Sequence, residues 1–273
     1  MTRLDAIRTI LEPPIPFDPR GFGTLHLPGT GGARTVETAD LLKTRIALET
    51  TAPLHGCVAL IGEPGLGKTL ACGTALAQLG LIPCYASIPP APKDKEFEET
   101  LLNAVTNAQY DLRNTRATER RDLARVCREH EFVFALDDIE RAAGYGIELV
   151  RYMWDQNGDR ATFVIIGSKL DPFLAANPAL ESRINRFVRF HPWTVTEACG
   201  SREDRSGYVR QYHPLFGDAP FAVLEYAHDV FAHGYFRRWA RLLEALLTLG
   251  VQPDQARLTR DLVDEAIALV NQE

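Results

Sequence analysis

Gly62-Glu63-Pro64-Gly65-Leu66-Gly67-Lys68-Thr69 decides how this chain is read. The eight residues fit G-x-x-x-x-G-K-[ST] at every fixed position. Their flanks matter as much. Cys57-Val58-Ala59-Leu60-Ile61 is short and wholly apolar, as in a buried strand, and the residues from Lys68 to Leu79 continue as a helix. Strand, glycine-rich turn and helix form the setting in which this pattern binds phosphate. Gly65 and Gly67 let backbone N–H groups approach phosphate oxygens with no Cβ in the way. The helix N-terminus adds partial positive charge. Lys68 reaches the β- and γ-phosphates, and the Thr69 hydroxyl ligates Mg²⁺. The eight residues are therefore the expected nucleotide-binding loop, with ATP and Mg²⁺ as cofactors.

Working outward, apolar stretches at Leu81–Ile88, Phe132–Leu136, Thr162–Ser168 and Phe187–Phe190 read as further strands. Helices are expected between them at Lys95–Tyr110, Ala117–Glu129, Gly146–Asp155 and Phe173–Ser182. One more precedes the loop, within Thr35–Thr51, with Leu41, Leu42 and Ile46 on one face. Strands alternating with helices predict right-handed crossovers and a parallel sheet of five strands. From about Trp193 the strands stop. Pro220–His233, Tyr235–Gly250 and Leu258–Gln272 all show helical apolar spacing. The expected organisation is an extended Pro/Gly-rich arm over 1–33, an α/β nucleotide-binding domain over 34–193 and an all-helical lid over 194–273.

A second half-site follows the loop. Phe132-Val133-Phe134-Ala135-Leu136-Asp137-Asp138 is an apolar strand ending in two carboxylates. A strand-end acid is often a helix cap. After a phosphate loop in the same alternating pattern, it is instead the metal side of a nucleoside triphosphatase: Asp137 holds Mg²⁺ through water and Asp138 polarises the attacking water.

Composition sets the bounds. The chain has 273 residues, 45% hydrophobic and 24% charged, so wholesale disorder is excluded. Its net charge of -6 argues against a globally basic nucleic-acid coat and leaves room for a local basic groove. Apolar runs fall well short of the ~18 residues of a membrane span, and the N-terminus lacks the apolar stretch of a signal peptide. A cytoplasmic protein with no membrane partner is expected. Cys57, Cys72, Cys84, Cys127 and Cys199 are scattered without a C-x-x-C pair and read as reduced core thiols.

With these motifs in place, the stretch from Arg34 to Gly250 resembles the AAA+ ATPases. Within that class it is similar to the transposition-regulator ATPases of the Mu B, TniB and TnsC type and their ExeA-like relatives. The resemblance implies a P-loop AAA+ three-layer fold and three further site residues. Phe163-Val164-Ile165-Ile166-Gly167-Ser168 resembles the family's fourth strand, which makes Ser168 sensor 1. Pro178-Ala179-Leu180-Glu181-Ser182-Arg183-Ile184 resembles the segment before the fifth strand, whose arginine reaches a neighbouring subunit's γ-phosphate; Arg183 is the choice and Arg186 the fallback. His233-Gly234-Tyr235-Phe236-Arg237 resembles the G-x-x-R of the lid, which makes Arg237 sensor 2, while Arg238 and Arg241 face water. One departure stands out. The family has Asp-Glu where this chain has Asp137-Asp138. A side chain one methylene shorter places a water roughly 1 Å off, which can cost on the order of 10²-fold in rate. Slow hydrolysis is expected. Glu140, two residues on, is the other carboxylate within reach of the task.

The resemblance also implies partners: a homo-oligomer in the ATP-bound state, as ring or helical filament, duplex target DNA, and a transposase. Between Asp111 and Arg128, six arginines (Arg113, Arg116, Arg120, Arg121, Arg125, Arg128) face three acids, a local excess of 6 - 3 = +3. Lys93 and Lys95 follow the second strand, where the family lines its pore. Such contacts give affinity for phosphate without sequence reading. Lys93, Lys95, Arg113, Arg116 and Arg120 are the expected DNA contacts. Two rivals remain open: a nucleotide-gated adaptor with little catalysis, in secretion or defence, and a P-loop kinase.

Overall fold

All five residues of β1 (Cys57–Ile61) are buried, as an unalternating apolar run predicts for a strand covered on both faces. The computed structural model describes residues 32–81, 83–107, 132–142, 144–156, 160–252 and 257–272. These fall into two compact units, 39–191 and 32–38 with 192–273.

The first unit runs α1 (Ala39–Thr51), β1, α2 (Lys68–Gln78), β2 (Pro83–Ser87), α3 (Asp94–Asn107), β3 (Phe132–Asp137), α4 (Tyr145–Gln156), β4 (Ala161–Gly167), α5 (Leu170–Ala175), α6 (Pro178–Glu181) and β5 (Ile184–Arg189). Its five strands form one parallel sheet in the order β2-β3-β4-β1-β5. The strands' carboxyl ends therefore lie along one edge, where ligands of open α/β sheets bind. Register aligns Ser87 with Asp137 and Asp137 with Ile166, so β2, β3 and β4 end side by side. One face of the sheet is filled by Phe97, Leu101, Phe134, Leu136, Met153 and Phe163, among others. Phe163 stacks between Phe134 and Trp154, with ring centroids 5.6 and 4.6 Å apart. Removing such a buried ring costs about 3–5 kcal/mol.

The second unit is helical: α7 (Val195–Cys199), α8 (Tyr208–Tyr212), α9 (Pro214–Gly217), α10 (Phe221–Ala227), a π-turn over His228–Ala232, α11 (Phe236–Thr248) and α12 (Arg260–Val270). In α11, Trp239, Leu242, Leu243 and Leu246 are buried at helical spacing, while Arg237, Arg238 and Arg241 are exposed. Gly234 has φ +80, and a Cβ there would overlap the Trp193 backbone, so this turn admits only glycine.

Several sequence expectations need correction. Leu42 and Ile46 are exposed; α1 buries Leu41, Thr44, Ala47 and Leu48 instead. Apolar residues on both sides of α1 leave the face ambiguous, and small Thr44 and Ala47 let it approach its neighbours. The single helix expected over Phe173–Ser182 is two short ones, because Pro178 lacks an N–H and holds Asn177 at φ -132, outside the helical region. β5 begins at Ile184 rather than Phe187 and is an edge strand, with Phe187 exposed. Lys95 lies in the first turn of α3, not in the loop before it. The arm over 1–31, the helix expected at Ala117–Glu129, Cys127, and Arg113, Arg116 and Arg120 lie outside the described residues.

Candidate functional site

The loop between β1 and α2 has the backbone its sequence demands. Gly65 and Gly67 both sit at φ +90, where a Cβ would be strained, and Gly67 is the N-cap of α2. At Gly62 a Cβ would come within 2.8 Å of Phe190. Lys68 is buried, and its ammonium donates to the Gly62 and Glu63 carbonyls at 2.7 and 2.9 Å. These bonds pull the loop's backbone around the lysine and fix the cradle.

Thr69, one residue into the helix, donates through its hydroxyl to Oδ2 of Asp137 at 2.6 Å. The loop and the end of β3 are 68 residues apart in sequence and meet at this bond. Both are hard oxygen donors, the kind Mg²⁺ takes in small number beside substrate phosphates. The donor set and the glycine cradle thus fit Mg²⁺ and a nucleoside triphosphate. The Tyr85 hydroxyl on β2, missed in the sequence, donates to the same Oδ2 at 2.9 Å. Burial, and then the Asp137 charge, push its phenol pKa far up, so it stays a donor. Asp137 Oδ1 accepts from the Asp138 amide at 3.0 Å.

The neighbouring carboxylates are engaged elsewhere. Asp138 lies in the left-handed region at φ 57 and pairs with Arg141 Nη1 at 2.9 Å. The same Nη1 donates to the Ile88 carbonyl at 3.0 Å. Burial first, then the charge of Asp137, raise the Asp138 pKa against the opposing pull of Arg141. Glu140 Oε1 accepts from the Ser168 amide, the Ser168 hydroxyl and the Lys169 amide at 2.8, 3.0 and 3.2 Å. Burial works to raise its pKa, but these bonds outweigh burial and hold it low. Its Oε2 lies against Gly167, where a Cβ would overlap it, and has no partner among the described residues. Glu140 is therefore a brace for the end of β4. Ser168 is gathered to that edge, bonded to Glu140 rather than to either aspartate.

The expected arginines are dispersed. Arg183 pairs with Asp155 at 2.8 Å and donates to the Ala179 carbonyl at 2.5 Å. Arg186 is exposed on β5, and Arg189 beside it forks onto Asp171 at 2.7 and 2.8 Å. In the helical unit, Arg237 is exposed in the first turn of α11. Lys93 and Lys95 are exposed, and Lys95 pairs with Glu99 at 3.3 Å.

Comparison with known proteins agrees with the fold. Residues 54–171 match the family model described as AAA domain. No curated protein matches the chain. Among solved structures, the chain is similar to the RuvB Holliday junction branch migration motor of Thermotoga maritima, at 19% identity and TM-score 0.55, over 87% of this chain and 71% of that one. It is similar to the ORC2 protein of Aeropyrum pernix in its ADP form, at 18% identity and TM-score 0.59, over 92% and 72%. Cdc6p of Pyrobaculum aerophilum matches at 18% identity and TM-score 0.57, over 85% and 64%. At such identities the likeness establishes the fold alone: the α/β P-loop AAA+ fold with its parallel five-stranded sheet. Among the described residues, no helix is long and apolar enough to cross a membrane.

Proposed function

We propose that this chain is a Mg²⁺-dependent AAA+ ATPase that assembles on duplex DNA in its ATP-bound state and regulates DNA transposition through a transposase. The observation that carries the nucleotide step is the 2.6 Å bond from Thr69 to Asp137, which brings both metal-side donors to the mouth of the glycine cradle. In this reading residues 62–69 bind the phosphates, Thr69 and Asp137 hold Mg²⁺, and Asp138 orients the attacking water. Ser168 senses the γ-phosphate, Arg183 acts on a neighbour's nucleotide, and Arg237 closes from the helical unit. Hydrolysis is slow, because Asp138 is a short base already paired with Arg141.

The DNA step is a matter of charge and fold. It is supported by the exposed Lys93 and Lys95, by the arginine-rich stretch around Arg113, Arg116 and Arg120, and by fold likeness to a branch migration motor. Transposition rests on the sequence resemblance, since fold does not fix function. A cytoplasmic location is part of the same proposal. The test is size-exclusion chromatography and negative-stain imaging with duplex DNA and an ATP analogue or ADP. Assemblies on DNA only with the ATP analogue are expected, weakening steeply with salt. A monomer in every condition overturns the DNA and transposase steps together.

A second reading, a nucleotide-gated adaptor with little catalysis, is favoured by the Asp138–Arg141 pair, which occupies the carboxylate that follows β3. DNA-stimulated phosphate release separates the two readings.

A further inference from the structure

Asp137 is held by more than its motif requires. A carboxylate offers about four lone-pair positions. Among the described residues, Oδ2 accepts from Thr69 at 2.6 Å and from Tyr85 at 2.9 Å, and Oδ1 accepts from the Asp138 amide at 3.0 Å. Three positions are filled, and the one left is on Oδ1. Two of the three donors come with the loop and the strand itself. The third comes from β2, 52 residues away in sequence.

The placement follows from the sheet. Tyr85 is in register with Ala135, and Asp137 lies two residues further along β3, on the same face. A phenol is long enough to cross that diagonal; serine or threonine at position 85 would fall short. Ser87 is the β2 residue directly beside Asp137.

We propose that Tyr85 is a positioning residue for the metal: its hydroxyl fixes the Asp137 carboxylate so that a single Oδ1 position faces the Mg²⁺ shell. The inference rests on the reading that residues 62–69 bind Mg²⁺ and ATP. A donor behind a metal-binding carboxylate typically contributes 10–100-fold to metal affinity. Tyr85→Phe deletes one oxygen and keeps the ring, so a selective effect on metal is expected.

The experiment uses the full chain and a fluorescent ATP analogue, titrated first in EDTA and then with Mg²⁺. Tyr85→Phe should leave binding in EDTA unchanged and raise the Mg²⁺ concentration at half-effect about tenfold. In an Asp137→Asn background the same change should add nothing. An unchanged half-point in Tyr85→Phe, or a full tenfold shift retained beside Asp137→Asn, overturns the inference alone. The wild type supplies a second measurement that needs no variant: Mg²⁺ added to the nucleotide complex should give a tyrosine ultraviolet difference signal, and its absence also overturns the inference. A wild type that binds no nucleotide with Mg²⁺ overturns the nucleotide reading and this inference with it.

Discussion

Asp137 and Asp138 are neighbours at one strand end, yet they are held in opposite ways. Asp137 takes its side-chain donors from α2 and β2, far away in sequence. Asp138 is paired with Arg141, three residues on, within the same turn. The contrast extends to either side. Thr69 meets Asp137 through the fold as a whole. Glu140 and Ser168 bond each other, and Arg183 bonds Asp155. In the proposed reading the metal side is thus assembled in advance, so binding would cost little reorganisation. On the proposed hydrolytic side, pairs would have to be exchanged before chemistry, which would make turnover the adjustable step.

The largest effect should come from breaking the assembled half. Lys68→Ala removes a buried ammonium and the two bonds that shape the cradle. At about 1.5–3 kcal/mol for a charged hydrogen bond, the ATP analogue should bind on the order of 10²-fold more weakly. Asp138→Asn, on the other half, should leave that affinity within about twofold and lower phosphate release at saturating ATP by about 10²-fold, the lower range for a general base. If both variants lose binding equally, the two halves are not separable. If turnover is unmoved in Asp138→Asn, Asp138 is not the base.

That division also marks what the sequence could disclose. The glycine-rich turn between β1 and α2 was legible because its pattern is contiguous, and the end of β3 at Asp137 because an apolar run stops there. The five strands followed from short apolar runs. Tyr85 was not legible, since within Leu81–Ile88 nothing separates a tyrosine that fills the core from one that crosses a diagonal to β3. Its role depends on strand register, which no local pattern encodes. The bond between Glu140 and Ser168 depends likewise on β3 lying beside β4. Other features were written and overlooked. Pro178 announces the break between α5 and α6, and Thr194-Val195-Thr196-Glu197 spells the capping box that starts α7. Helices as short as α7, α8 and α9 carry too few turns to show a period.

A smaller effect tests what sets the hydrolytic half. Burial and the Asp137 charge raise the Asp138 pKa, and Arg141 opposes them. A base must be deprotonated, so turnover falls as pH drops through that raised value. The acid limb of the rate profile should therefore lie above the ordinary aspartate value of about 3.9. Arg141→Gln removes the opposing charge, so the limb should move to higher pH, slowing the variant a few-fold on the limb. Above the limb the variant should match or exceed the wild type, because Asp138 is released from its pair. A limb that stays in place, or moves to lower pH, would show that Arg141 does not govern this carboxylate.

The smallest effect concerns Arg183, and magnitudes decide how to read it. Its pair with Asp155 is about half-exposed on the acid side, at 52%. Exposed pairs contribute about 0.2–1 kcal/mol, which corresponds to about fivefold at most in any equilibrium that must break them. An arginine acting on a neighbour's γ-phosphate is worth 10³–10⁵ in rate. The ion pair is therefore far too weak to disqualify Arg183 from that role; it can only tax the turn outward. Asp155→Asn should leave the melting temperature nearly unchanged. If Arg183 is the acting residue, DNA-bound assemblies of this variant should release phosphate up to about fivefold faster than wild type. If the role belongs to Arg186, which is already exposed on β5, removing Asp155 frees nothing that matters and the rate should not move. Either result, measured at saturating ATP, assigns the arginine without deleting it.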